Sequence, residues 1–290
     1  MAIGLYELIG GAKNGELSSE DIDVSIKEGM SAETKKRLLR WKKELNFWER
    51  YGEIYYHLED TIPYYDLART IQELVDPREG EVWLDAGCGP AKMSQILWEK
   101  SNRNIDRVIG IDIVLDPARA TLERLDNSIP LELQYANLGE RLPFVDGSFD
   151  GIVANLVLPY VFDFEGKEGR EAFAEAMKEM FRILRSGGRL IWSSPKKNPF
   201  FFRNFLLSLP DMLSIRKQIA HRVFGPWIGL RILKYGIAIT LKGRKGIYTF
   251  LDKEEFDRIS QGIGFVNSTW RRSFAKQVWV NRVEKPNTVC

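Results

Sequence analysis

The sequence predicts an α/β fold: a doubly wound, seven-stranded, mostly parallel sheet, with an N-terminal helical extension and a helical insertion between the fifth and sixth strands. Three observations lead to this prediction. Charged and apolar residues alternate at helical spacing up to residue 75, and short apolar runs then alternate with helix-like segments. Residues 196–250, which are basic and apolar, interrupt this alternation.

The first 75 residues form the predicted helical extension. The segment "SAETKKRLLRWKKELNFWERYGEIYYHL" mixes charged and apolar residues at three-to-four spacing, and Ser31 could start its helix. A second amphipathic segment, "TIPYYDLARTIQELV", ends before Asp76-Pro77. We therefore divide the chain into an extension, 1–75, and a main domain, 76–290, that contains the insertion, 196–250.

Short apolar runs and helix-like segments alternate from residue 81 onward. The first five runs are "EVWLDA", "RVIGID", "LELQY", "FDGIVAN" and "GRLIWSS", and the helix-like segments are 91–100, 116–126 and 169–185. Such alternation is typical of parallel strands joined by crossover helices. After the insertion, a helix ("DKEEFDRISQGIG") precedes two further strands, "FVNSTWRR" and "FAKQVWVNRVE", which we expect to be an antiparallel pair at one edge.

Composition argues against several classes of protein. The formal net charge is only +2, and the two cysteines, Cys88 and Cys290, indicate neither a disulfide framework nor a metal site. His57 and His221 are the only histidines and lie far apart, so we expect no metal. Because the N-terminus lacks a signal pattern and no stretch of about 18 uncharged apolar residues occurs, we expect a cytoplasmic protein.

The stretch "VWLDAGCGPAK", residues 82–92, places a carboxylate and two glycines where the first strand meets a helix. Ligands of open parallel sheets bind at this end of the strands, and Gly87 and Gly89 allow the backbone to approach them closely. A nicotinamide dinucleotide is one candidate, but Lys92 occupies the third glycine position of its fingerprint. The carboxylate of Asp85 suits a cationic ligand such as S-adenosylmethionine, which has a sulfonium and an ammonium.

This stretch resembles motif I of the class I S-adenosylmethionine-dependent methyltransferases. Three later stretches resemble further motifs of that family in the same order: "VIGIDI", "YANLGERLPFVDGSFDGIVANLVLPYV" and "LRSGGRLIWSSP". The resemblance covers about 80–195, and less clearly 247–284, and favours the subgroup that includes ubiquinone and menaquinone biosynthesis enzymes. It implies a Rossmann-like methyltransferase fold with S-adenosylmethionine as cofactor.

The resemblance also implies the residues that hold the cofactor. Asp112 would accept the ribose hydroxyls, Asn137 stands where family members often have aspartate, and the Leu138 N–H would face the adenine ring. Ala91 replaces the third glycine of the motif, which we expect to be tolerated with a helical φ, and Cys88 is expected to be a packing residue. The predicted cofactor-binding set is Asp85, Gly87, Cys88, Gly89, Asp112, Ile113, Asn137, Leu138 and Asn155.

Residues that follow the fourth strand should face the reactive methyl group, so Asn155 and Tyr160 could position the acceptor. His221 is a candidate general base within the insertion, or alternatively a surface histidine of a basic helix. His57 is the other candidate base. Its neighbours include tyrosines that could line the site or pack in the core: Tyr51, Tyr55 and Tyr56.

The insertion concentrates positive charge. Eleven lysines and arginines and one aspartate give residues 196–250 a net charge of +10, so the rest of the chain carries −8. Aliphatic and aromatic residues interleave with the basic ones, as in helices that lie on anionic membranes. The insertion could instead be a simple lid, or an RNA-binding surface, although its aliphatic content favours lipid over base stacking.

The sequence therefore predicts a methyltransferase that acts on a small, lipophilic acceptor, such as a quinone precursor, an isoprenoid or another lipid, with a peripheral membrane contact through 196–250. Two alternatives stay open. One is an RNA methyltransferase that uses the basic insertion, and the other is a non-catalytic protein that binds S-adenosylmethionine.

Overall fold

The computed structural model describes residues 22, 30–59, 61–125, 129–213 and 226–287. Between residue 30 and the sheet, the structure describes two helices, α1 (Ala32–Glu59) and α2 (Ile62–Leu74). The Ser31 hydroxyl accepts a hydrogen bond from the Thr34 N–H at the start of α1, and Thr61 caps α2 in the same way.

The main sheet has seven strands, and the predicted fold class is confirmed. In chain order they are β1 (Val82–Ala86), β2 (Arg107–Asp112), β3 (Leu131–Tyr135), β4 (Phe149–Ala154), β7 (Leu184–Pro195), β8 (Val266–Ser273) and β9 (Val278–Glu284). A separate two-stranded hairpin consists of β5 (Asp163–Phe164) and β6 (Lys167–Glu168). The strand order across the sheet is β3-β2-β1-β4-β7-β9-β8. The first five strands in this order are parallel, and β9 pairs antiparallel with both β7 and β8, as the sequence predicts.

In the described part of the chain, six further helices connect or cover these strands. They are α3 (Lys92–Lys100), α4 (Asp116–Arg124), α5 (Arg170–Ile183), α6 (Phe202–Leu213), α7 (Pro226–Arg244) and α8 (Lys253–Ile263). The last of these begins with a capping box between Asp252 and Glu255 and ends at Gly264, which has a φ of +116°. The insertion thus consists of α6 and α7 on either side of the undescribed residues 214–225.

The core lies on both faces of the sheet, as a doubly wound fold requires. On one face, Phe173 of α5 and Phe256 of α8 pack against Trp192 of β7. On the other face, Leu67 of α2 and Leu97 of α3 are fully buried.

The extension and the insertion share a third apolar cluster above the carboxyl ends of the parallel strands. Leu38 and Leu45 of α1 and Ile239 of α7 are buried in it together with Tyr248 and Phe250. The sequence pattern describes these two segments separately, whereas the structure packs α1 against α7. Together the two helices cover the edge of the sheet where ligands bind, and we call this layer the roof.

Candidate active site

The carboxyl ends of β1, β2 and β4 bring polar side chains to one edge of the sheet. Asp85 lies opposite Gly110 of β2 and Val153 of β4, so Asp112 and Asn155 follow at the same edge. Both of these residues line a cavity beneath α1, which we call the cofactor cavity. Its wall also contains most of the predicted set: Gly87, Cys88, Gly89, Ile113, Asn137 and Leu138.

The loop between β1 and α3, residues 87–91, is called the glycine loop here. Backbone hydrogen bonds hold it at the end of β2. The N–H groups of Gly87 and Cys88 both donate to the Ile111 carbonyl, at 2.8 and 2.9 Å. Gly87 has a φ of +69°, and a Cβ there would come within 2.4 Å of Val157 Cγ2, so this position requires glycine. Gly89 has a φ of +48°, and nothing lies within 4 Å of a Cβ built on it, so its backbone faces open space.

Ala91 does not have the helical φ that was the condition for its being tolerated in place of glycine. Its φ is +61° and its ψ is 28°, which is the left-handed conformation, and it occupies the N-cap of α3 without a side-chain hydrogen bond. Alanine in this conformation costs roughly 1 kcal/mol or more because its Cβ crowds the carbonyl that follows. Residue 91 therefore has the left-handed backbone conformation that glycine favours, although it is an alanine.

Asp85 supplies the cap that Ala91 lacks. Its Oδ2 accepts hydrogen bonds from the Ser94 N–H at 2.9 Å and from the Ser94 hydroxyl at 2.6 Å, which joins the end of β1 to the first turn of α3. The side chain is 1% exposed and lies behind the cavity wall, not in it. Its Oδ1 has no hydrogen-bond partner among the described residues, and burial raises the pKa of Asp85 from 3.8 to about 7.

Asp112 has spare acceptor capacity at the cavity wall. Its Oδ2 accepts from the Gly89 N–H at 2.9 Å and its Oδ1 from the Val114 N–H at 3.0 Å. Burial raises the pKa of Asp112, although these backbone donors oppose the shift. A carboxylate has about four lone-pair sites, so it can still accept two hydroxyl groups.

Asn137 is held in a local turn. Its Oδ1 accepts from the Gly139 N–H at 2.9 Å, and its Nδ2 donates to Glu140 at 3.0 Å. The second lone pair of Oδ1 is the acceptor that this side chain can offer to a ligand. Leu138, which is buried, supplies an apolar wall beside it.

Aromatic residues of α1 cover the cofactor cavity. Tyr51 and Tyr55 line it, which was one of the two alternatives for these tyrosines. Trp41, Trp48 and Glu44 also line it and were not predicted from the sequence. The available signal for Glu44 was its place on one helical face with Trp41 and Trp48, three residues after the first and four before the second. The hydroxyl groups of Tyr55 and Tyr64 hydrogen-bond to each other, and burial raises the pKa of both phenols well above 10.

Asn155 and Tyr160 lie beside the glycine loop. Asn155 Oδ1 accepts from the Ser193 hydroxyl at 2.7 Å, and Ser193 in turn accepts from the Leu156 N–H at 2.8 Å. Tyr160 packs against Trp48 with ring centroids 5.3 Å apart, and burial raises the pKa of its phenol well above 10. Both residues line the cofactor cavity.

Neither candidate histidine lies in the cavity wall that the structure describes. His57 is buried on α1, outside the set of lining residues. His221 lies outside the described residues. The idea of His57 as a base that faces the acceptor is therefore not supported by its position.

A second cavity, which we call the acceptor cavity, lies between α1, α2, α6 and α7. Five residues line both cavities: Tyr51, Tyr55, Tyr64, Leu156 and Tyr160. Apolar residues of the insertion form much of the remaining wall, including Phe201, Phe205, Ile232, Leu233 and Ile239. The glycine loop and the insertion thus enclose two adjoining spaces.

Within the described ranges, no group of three or more His, Cys, Asp or Glu side chains could hold a metal ion. None of the described helices combines the length and apolar character that crossing a bilayer requires.

Comparison with known proteins identifies this arrangement. Residues 84–192, which run from β1 to β7, match the family model described as "Methyltransferase domain". The chain contains a class I S-adenosylmethionine-dependent methyltransferase domain. S-adenosylmethionine is the cofactor of such a domain, and the open space at Gly89 and the spare acceptors of Asp112 fit an adenosyl ligand.

Several relatives of this methyltransferase domain are distant. An uncharacterized 37.1 kDa protein in a transposon of Streptomyces fradiae is 33% identical over 54% of this chain and 42% of its own length. A probable S-adenosylmethionine-dependent methyltransferase of Mycolicibacterium smegmatis is 27% identical over 58% of this chain and 52% of its own. The chain therefore spans about half the length of these two relatives.

Two further matches have higher coverage. A ubiquinone/menaquinone biosynthesis C-methyltransferase of Geotalea uraniireducens is 25% identical over 65% of this chain and 72% of its own length. A solved methyltransferase in complex with the Trm112 activator of Haloferax volcanii has a TM-score of 0.53 at 15% identity, covering 83% of this chain and 96% of that one. That likeness concerns the fold alone.

Proposed function

We propose that the whole protein is an enzyme that transfers the methyl group of S-adenosylmethionine to a small, neutral or weakly polar lipophilic acceptor at a membrane surface. The observation that carries this proposal is the apolar acceptor cavity, which adjoins the cofactor cavity and shares five lining residues with it. The Geotalea uraniireducens relative, a ubiquinone/menaquinone biosynthesis C-methyltransferase, supports a lipophilic acceptor.

The proposal assigns roles to the residues of the cofactor cavity. Asp112 accepts the ribose hydroxyls, and the backbone of Gly87, Cys88 and Gly89 lies against the amino-acid portion of the cofactor. Asp85 acts from behind the loop, as the cap of α3 and as a negative charge for the ligand's ammonium. The adenine ring lies between Ile113, Leu138 and the turn at Asn137.

In methyl transfer the protein mainly aligns the acceptor with the methyl group and does not need to form a covalent bond to either. The sulfonium of the bound cofactor supplies an activated methyl group, and the protein holds the acceptor in line with it and excludes water. The raised pKa keeps the Tyr160 phenol neutral, so it can donate a hydrogen bond to the acceptor. Asn155, fixed by Ser193, lies in the wall of the cofactor cavity next to Leu156, which lines both cavities, and His221 stays a predicted base.

The outer face of the insertion supports a membrane contact. Along α7, apolar and basic side chains share one exposed stripe: Trp227, Leu230, Arg231, Lys234, Ile237, Leu241 and Arg244. On α6, Phe202, Leu206 and Leu207 are also exposed. Exposed apolar residues among lysines and arginines suit an anionic lipid surface, from which a lipophilic acceptor could enter the cavity. In this proposal, the extension (1–75) and the insertion (196–250) serve the methyltransferase domain (76–290) as roof and lid.

Replacing Asp112 by alanine is expected to weaken the affinity for S-adenosylhomocysteine at least tenfold, about 1.4 kcal/mol. The change removes the ribose acceptor and releases the Gly89 N–H from its anchor. Calorimetric titration measures the affinity of each protein for S-adenosylhomocysteine, and Asp116→Asn on the exposed start of α4 is the control. Equal affinity for the Asp112→Ala and wild-type proteins would remove this residue from the cofactor site.

Reversing two charges on α7, with Lys234→Glu and Arg244→Glu, is expected to reduce binding to phosphatidylserine-containing vesicles on the order of tenfold. Vesicle flotation measures binding, and Lys100→Glu with Arg103→Glu at the end of α3 provides a charge-matched control. If both pairs reduce binding equally, the attraction is a general charge effect and the insertion is not the membrane contact.

Transfer of a labelled methyl group from S-adenosylmethionine tests the acceptor class. Label in a lipid extract supports the proposal. Label in RNA, with binding that weakens steeply as salt rises, would favour the RNA methyltransferase alternative. Cofactor binding without label in either extract would favour a non-catalytic binding protein.

A further inference from the structure

An asparagine in the wall of the acceptor cavity has an amide group without a partner. Asn204 of α6 is 8% exposed, and both its Oδ1 and its Nδ2 are buried without a hydrogen bond to the described part of the chain. Buried amides are normally paired, because an unmade hydrogen bond leaves the full cost of removing the group from water. This amide is therefore placed to receive a partner from a ligand.

Other polar groups of the same wall already make hydrogen bonds within the protein. The Ser208 hydroxyl donates to the Asn204 carbonyl at 2.8 Å, and the Thr61 hydroxyl donates to the Leu58 carbonyl at 2.7 Å. Tyr55 and Tyr64 hydrogen-bond to each other. Asn204 differs from these neighbours because it offers both a donor and an acceptor.

The acceptor cavity carries no charged side chain among its described lining residues. A carboxylate, phosphate or ammonium bound there would lose its water without gaining a counter-charge, which is strongly unfavourable. An uncharged oxygen that accepts or donates one or two hydrogen bonds avoids this cost. The cavity thus selects against ions and in favour of neutral molecules.

We propose that Asn204 recognises a carbonyl or hydroxyl oxygen on a neutral lipophilic acceptor and so determines which end of that molecule faces the cofactor. The inference rests on the proposed function and adds to it a specificity-determining residue and an acceptor class. The apolar part of the acceptor packs against Phe201, Phe205 and Ile232, while the amide holds its oxygen. The atom to be methylated then lies toward Tyr51 and Tyr160, where the two cavities meet.

Three two-ring probes test this recognition in the full-length protein saturated with S-adenosylhomocysteine: 2-naphthol, 2-methylnaphthalene and 2-naphthoate. In the wild-type protein we expect 2-naphthol to bind at least about tenfold more tightly than 2-methylnaphthalene, and 2-naphthoate to bind most weakly. Asn204→Leu, which has nearly the same shape, should abolish the advantage of 2-naphthol. Arg203→Gln, on the exposed side of the same helix and outside the cavity wall, should retain it.

Thermal unfolding gives a second measurement that separates recognition from a structural role. Because Asn204→Leu removes two unpaired buried groups, it should raise the thermal midpoint of the ligand-free protein by roughly 2 °C or more. A lowered midpoint, or an unchanged preference for 2-naphthol in a folded Asn204→Leu protein, would overturn the inference. Absence of a preference in the wild-type protein would also overturn it. Failure of the wild-type protein to bind S-adenosylhomocysteine would instead overturn the proposed function.

Discussion

Replacing Asp85 by asparagine is expected to stabilise the ligand-free protein above pH 7 and, at the same time, to weaken its affinity for S-adenosylhomocysteine. Asparagine retains an oxygen that can accept from the Ser94 N–H and hydroxyl, so the cap on α3 survives. It removes the buried negative charge, whose Oδ1 has no partner in the described structure. The effect on stability therefore has the opposite sign to the effect on binding.

The sign of the stability change in Asp85→Asn, and the pH range over which it develops, follow from the raised pKa of Asp85. Burial raises the pKa of Asp85 from 3.8 to about 7, so between these values the folded protein holds a proton that the unfolded chain has lost. Stability falls as the pH rises through this interval and then stays constant. About three pKa units at 1.36 kcal/mol each set an upper limit of roughly 4 kcal/mol on the advantage of asparagine.

Urea unfolding of both proteins from pH 4 to pH 8.5 measures this advantage. The two proteins should be equally stable near pH 4 and should diverge up to pH 7, while Asp116→Asn should follow the wild type throughout. A constant deficit of the Asp85→Asn protein at every pH would show that the bonds to Ser94 outweigh burial.

Cofactor binding should show the complementary dependence. The ammonium group of S-adenosylhomocysteine favours the ionised carboxylate, so the affinity of the wild-type protein for this ligand should fall as the pH drops below about 7. Asp85→Asn should bind at least about tenfold more weakly at pH 8 and lose most of this pH dependence. The Asp85 carboxylate would then lower the stability of the ligand-free protein, and the bound ligand would offset that cost.

Local patterns were sufficient to predict the sheet and the glycine loop. Five apolar runs separated by helical segments are a short-range signal, and β1, β2, β3, β4 and β7 lie where those runs are. Asp112, Gly89 and Asn155 line one cavity because strand order brings the ends of β1, β2 and β4 together. Any open parallel sheet with this order would do the same.

The roof over the site could not be predicted in this way. Glu44 and Lys242 are far apart in the chain, and nothing in either segment's periodicity indicates that they meet. Likewise, the unpaired amide of Asn204 is visible only once α6 has been packed against α2 and α7. The left-handed φ of Ala91 also depends on context, since the loop geometry imposes it on a residue that does not favour it.

Glu44→Ala is expected to destabilise the protein by about 3–5 kcal/mol and to loosen α7 from α1. Glu44 is 7% exposed, and both of its oxygens are engaged. Oε1 lies 2.7 Å from Lys242 Nζ, and Oε2 accepts from Lys242 at 2.8 Å and from the Tyr248 hydroxyl at 2.7 Å. Lys242 Nζ also lies 3.9 Å from the centroid of the Phe47 ring, so the cation is surrounded by aromatic groups and one carboxylate.

Removing Glu44 leaves that cation without its counter-charge. Burial lowers the pKa of Lys242, and Glu44 opposes this shift, so without the glutamate the ammonium must lose its proton or move to water. Either response removes the ion pair that joins α7 to α1. The double change Glu44→Leu with Lys242→Met should recover most of the lost stability, because an apolar pair avoids the cost of removing two charges from water.

A second ion pair on the same two helices provides the control. Arg231 of α7 and Glu53 of α1 lie 3.7 Å apart, but both are exposed, so Glu53→Ala should change the unfolding free energy by about 1 kcal/mol or less. Urea unfolding measures all three variants, and the rate of trypsin cleavage within α7 reports local opening. Equal effects of Glu44→Ala and Glu53→Ala would mean that apolar packing, and not the buried pair, holds the roof. A much larger effect at Glu44, recovered by the apolar pair, would mean that one buried contact couples the extension to the wall of the acceptor cavity.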